Sequence, residues 1–193
     1  FALVVGAFSA ANLVRKEVEK RTVFVLFSKP VSRTAFIWGK FLGLALTLAL
    51  VVAGMAVFLF LLVWVVTGTS EPWILLACLF IYLQVAVVVA ATILFSTFAS
   101  SILASVLGIS VFVVGRLSYN LLERTRQGVS AAFDALSRVL YVVVPNFNAV
   151  DLKAVAVGEG GADWASLGAG SVYLVAYLAV CLLLAAWGFR RKE

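Results

Sequence analysis

The 193-residue chain contains no histidine, and Lys, Arg, Asp and Glu together make up only 12% of it. Without histidine there are no His-based metal sites, no Ser-His-Asp triad and no HExxH protease motif. Two cysteines, Cys78 and Cys181, both lie inside apolar runs. There they read as small hydrophobes and not as a disulfide or metal pair. Nucleotide chemistry is missing as well, because Gly39-Lys40 lacks both the upstream glycine and the following Ser/Thr of a P-loop. No apolar run holds paired acids or a nucleophile with its base, so nothing supports an intramembrane enzyme.

What the chain does have is grease. Hydrophobic residues are 64% of the sequence and the mean hydropathy is +1.14. A soluble domain is about 45–50% apolar and about 25% charged, and a chain of this size could not hide the excess inside itself. The fold class is therefore an all-α polytopic membrane protein.

The first apolar run, Phe1–Val14, is fourteen residues, where a spanning helix needs about 20. Two readings fit, a short re-entrant piece and the end of a transmembrane helix (1–14) whose beginning lies outside the sequence, and the second is the expectation. It lacks the basic n-region and cleavage site of a signal peptide. Next comes the one long polar interruption near the start, Arg15–Lys40, with seven Lys/Arg and two Glu, a local net charge of +5. Glu17 and Arg21 stand i,i+4 and support a helix. Pro30 ends it near Ser28, and Ser32 is an N-cap candidate for the helix that enters the membrane. Within this basic stretch lies an apolar cluster, Val23–Phe27, too short to span and in need of something to bury it.

Downstream, the sequence predicts spans over 36–66, 73–95, 98–117 and 167–189. Phe41–Val66 alone is 26 uncharged residues, about 39 Å of helix, so tilt or protrusion is expected. Trp64 and Trp73 flank the turn at residues 67–72 at interface depth. Gln84, the most polar member of its span, is expected to hydrogen-bond between helices, and Ala104, Ser105, Gly108 and Ser110 to let helices approach closely. From Arg116 to Ser166 five bases balance five acids. Ala131–Val144 has an amphipathic pattern suited to the interface, Pro145 stops it, and Gly158–Asp163 is a loop. Residues 118–166 are thus read as extracytoplasmic interfacial helices and loop. The tail 190–193, Arg-Arg-Lys-Glu, follows the last span as a stop-transfer signature. Counting Lys and Arg puts both the basic connector (15–35, before the span) and the C-terminus in the cytoplasm, and four intervening spans agree with that.

The connector resembles the cytoplasmic segment between the second and third membrane helices of type-2 ABC exporter permeases, the ABC-2 family. The shared features are an acid (Glu17 or Glu19), Arg21-Thr22, the apolar Val23–Phe27, the break Pro30-Val31-Ser32-Arg33, and Gly39-Lys40 at the helix entry. Leu94–Phe98 and Leu140–Leu152, with its Val-Pro-Asn-Phe, are also similar to what such permeases carry. The resemblance implies a single transmembrane domain with a six-helix ABC-2-type bundle, here lacking the first helix and part of the second. It implies a coupling helix that docks into a separate ATP-binding subunit through Glu17, Glu19, Arg21, Thr22, Phe24, Leu26, Lys29, Pro30 and Arg33. Phe24 and Leu26 belong to the apolar plug, the charges fix orientation, and Pro30 is the joint to the spanning helix.

On this reading the chain is not itself an enzyme and holds no cofactor, ATP and Mg residing in the partner ATPase. Its partners are that ATPase, a second permease subunit (a copy or a homologue) and the lipid bilayer, with no nucleic acid, in a prokaryotic plasma membrane. The rival readings are an ATP-independent transporter or channel, and a non-transporting membrane scaffold.

Overall fold

The computed structural model describes residues 2–19, 33–70, 72–125, 144–150 and 164–190. These form five long α-helices and one short 3-10 turn: α1 (Ala2–Glu19), α2 (Arg33–Thr67), α3 (Trp73–Ser96), α4 (Ser101–Thr125), the 3-10 turn Phe147–Val150, and α5 (Trp164–Arg190). No strand occurs among the described residues. Ile37–Thr67, Trp73–Ser96 and Trp164–Gly188 are each long and apolar enough to cross a membrane. Ala2–Leu13 and Ser101–Leu117 are shorter apolar stretches that pack into the same bundle.

The bundle is built around α3, which touches α1, α2, α4 and α5. Every residue from Gln84 to Ile93 is buried. After Gln84 the sequence there, Val-Ala-Val-Val-Val-Ala-Ala-Thr-Ile, is small or β-branched on all sides, which suits a helix enclosed by others. Its one hydroxyl in this run, Thr92, donates to the Val88 carbonyl at 2.8 Å and so leaves no unmet donor. Against it α4 presents Ser101, Ala104, Ser105 and Gly108, all buried and on one helical face. At Gly108 the approach is so close that a Cβ would overlap the Thr92 hydroxyl. Ser110, expected on that face, points away: its side chain is exposed and bonds back to the Val106 carbonyl. Gly108 to Ser110 is about 200° around a helix, so the two cannot share a contact.

α2 packs through one stripe, Ile37, Phe41, Leu44, Ala45, Leu48, Val52 and Ala56, spaced four or three residues apart with one adjacent pair. Beyond Ala56 the stripe ends, and from Val57 to Val66 only Phe60 and Val63 are even half-buried. The helix continues as helix because its backbone bonds are internal, and it leaves the bundle as it does so.

Two helices run on past their apolar stretches. α1 continues without interruption through the first charges to Glu19. α4 extends nine residues past Arg116 to Thr125, while its apolar stretch ends at Leu117, where the predicted span ends. The interfacial helix expected over Ala131–Val144 and the loop Gly158–Asp163 fall outside the described residues, except for Val144.

Candidate functional site

Two regions qualify as a functional site: the end of the bundle that carries the basic connector, and a polar cluster inside the bundle. The first is defined by what converges there. The turn between α3 and α4 (residues 97–100) is tied to α1 by Ser101, whose hydroxyl donates to the Ala11 carbonyl at 3.3 Å. Ala11 lies one turn before Arg15. On the other side of the same turn, Gly188 near the end of α5 sits so close to Phe98 that a Cβ there would stand 2.8 Å from its Cζ. Ile37 and Phe41, in the second and third turns of α2, share a core with Ala10, Ile93, Ala185 and Ala186. The end of α1, the start of α2, the α3–α4 turn and the end of α5 therefore occupy one end of the molecule. At the opposite end Trp73 and Trp164 stack with ring centroids 5.7 Å apart, and Trp64 is exposed, as expected of an aromatic belt.

Of the residues assigned to coupling, Glu17 and Glu19 fall in the last turns of α1 and Arg33 is the first residue of α2; their side chains are not among the described ones. Arg21, Thr22, Phe24, Leu26, Lys29 and Pro30 lie outside the described residues. The structure thus describes the helices that flank the connector and not its plug.

The second region was only half legible. Gln84 is buried in α3 and makes two bonds between elements: its Nε2 donates to the Phe147 carbonyl at 3.3 Å, and its Oε1 accepts from Arg116 Nη2 of α4 at 3.0 Å. Arg116 Nη1 also donates to Asn148 Oδ1 at 3.3 Å, and Asn148 Nδ2 returns a bond to the Arg116 carbonyl at 3.0 Å. Asn146 caps the turn by accepting from the Asn148 backbone N–H at 3.0 Å. Phe147 itself is fully buried, with Ala7, Val87, Val88, Val150 and Leu174 around it, and its ring lies 5.3 Å from that of Phe112. The Arg116 guanidinium sits over Phe112, 5.7 Å from the ring centroid, a cation–π contact. Gly115 is what lets the turn come this near, since a Cβ there would collide with the Pro145 carbonyl and the Phe147 ring.

The segment Pro145–Val150 inserts a phenylalanine among four helices, α1, α3, α4 and α5. Non-helical backbone at such depth is tolerated where protein encloses it, and Gln84 supplies the donor that the Phe147 carbonyl needs. Sequence reasoning found Gln84 but not Asn148 or Phe147, which lie 32 residues from Arg116 and 63 from Gln84. Chemically the cluster is a structural tie. Among the described residues there is no group of His, Cys, Asp and Glu that could hold a metal ion, and both cysteines are free thiols.

Over residues 1–193 the chain matches the family described as ABC-2 family transporter protein. It belongs to the ABC-2 transporter family. No curated protein and no solved structure matches it. Family membership and the apolar helices together make it a multi-pass membrane permease of ABC transporter type. ABC-2 membrane proteins generally work with an ATPase subunit.

Proposed function

We propose that this ABC-2 chain is the membrane-spanning subunit of an ATP-driven exporter, passing movement from a separate cytoplasmic ATPase into the helix bundle. The carrying observation is the convergence of the connector's flanking helices with the α3–α4 turn and the end of α5, through Ser101–Ala11 and Gly188–Phe98. A push on the connector there reaches α1 and α2 directly, and α3, α4 and α5 through contacts already made. Rigid-body rearrangement of packed helices is the usual form of such a response. In the sequence the connector has seven Lys/Arg and the C-terminal tail three, whereas the turn at residues 67–72 has Glu71 as its one charged residue. That asymmetry favours a cytoplasmic connector and C-terminus, in a prokaryotic plasma membrane.

In this reading Phe24 and Leu26, with Val23 and Phe27, seat in a groove of the ATPase. Glu17, Glu19, Arg21, Thr22, Lys29 and Arg33 set the orientation, and Pro30 stiffens the joint. ATP and Mg bind in the partner, and this chain is not an enzyme. A second permease subunit, like this one a six-helix bundle in the whole protein, completes the pair, with the substrate path at the permease–permease interface. Replacing Phe24 and Leu26 together with Ala is expected to remove the ATPase from a mild-detergent pull-down while the membrane part elutes as before. Undiminished copurification of the ATPase with that variant rules the proposal out.

A further inference from the structure

We draw no further inference here: the strongest candidate, the largely apolar cavity of about 990 Å³ between α1, α2, α3 and α4 that opens beside the exposed Leu50, Met55 and Phe58 of α2, carries none because nothing in the structure shows what covers it.

Discussion

α2 beyond Lys40 and α3 are both uncharged, membrane-length apolar helices, yet they have opposite surroundings. In α3 ten consecutive residues are buried; in α2 the last ten before Thr67 are almost all exposed. Hydrophobicity does not separate them, because lipid tails are as apolar as leucine and give helices no hydrophobic reason to associate. Side-chain size does. The enclosed run of α3 is Val, Ala, Thr and Ile behind Gln84, whereas Val57–Val66 of α2 is Phe, Leu, Trp and Val. Small side chains let backbones approach, so that dispersion and a few hydrogen bonds hold the helices. Large ones face lipid or a ligand at no cost. In this bundle, composition marks a span and residue size marks its place.

The sharpest way to break that contrast is to put bulk at the closest approach. Gly108→Leu would drive a side chain into Thr92, which lies in the enclosed run of α3. A loss of about 3 kcal/mol or more is expected, the upper end for overpacking. It would appear as a collapsed yield of monodisperse protein and a lowered thermal midpoint. Gly54→Leu on α2 is the control: nothing stands within 4 Å of its Cβ position, and only a gain in helix propensity, a few tenths of a kcal/mol to about 1, is expected. If both substitutions cost the same, small residues are not what places a helix at the centre.

Next in size is the tie across α3, α4 and the 3-10 turn. Gln84→Leu preserves the apolar volume but removes the donor to the buried Phe147 carbonyl and the acceptor for Arg116. Groups left unsatisfied cost about 1–3 kcal/mol, so a loss of about 2 kcal/mol is expected. The turn should also loosen: a cysteine placed at Phe147 should react with a membrane-permeant thiol reagent faster in the Gln84→Leu background than without it.

Much of this is legible in the sequence. Gln84 stood out as a lone amide in a span, and Ala104, Ser105 and Gly108 as a helical face of small residues, because both signals are local. Three things were not readable, for one shared reason. The insertion of Phe147 and the pairing of Arg116 with Asn148 depend on segments far apart in sequence. Arg116 stands at the end of the apolar stretch, as a charge after an apolar run usually does, and the helix carries on past it with the guanidinium received by Gln84 and Asn148. The point at which α2 leaves the bundle is likewise set by what other helices fail to reach, and its own sequence stays apolar throughout. The connector residues Phe24 and Leu26 lie outside the described residues, so their pattern is legible in the sequence alone.

The smallest expected effect sharpens the comparison most finely, because it lies where α2 is still attached. Tyr82 of α3 donates its hydroxyl to the Ala45 carbonyl of α2 at 3.1 Å. That carbonyl already serves the α2 helix, so losing Tyr82 leaves it satisfied by the backbone. Interhelical bonds in membranes average about 0.6 kcal/mol. Tyr82→Phe, which keeps the ring against its half-buried surroundings, is therefore expected to cost about 0.5 kcal/mol in a detergent unfolding titration. A cost near 2 kcal/mol would mean that α2 is held by this one polar contact and not by the stripe from Ile37 to Ala56. The contrast between the two helices would then rest on a single hydroxyl and not on residue size. A cost near the expected value leaves the stripe as the attachment, with the helix free of the bundle where the stripe ends.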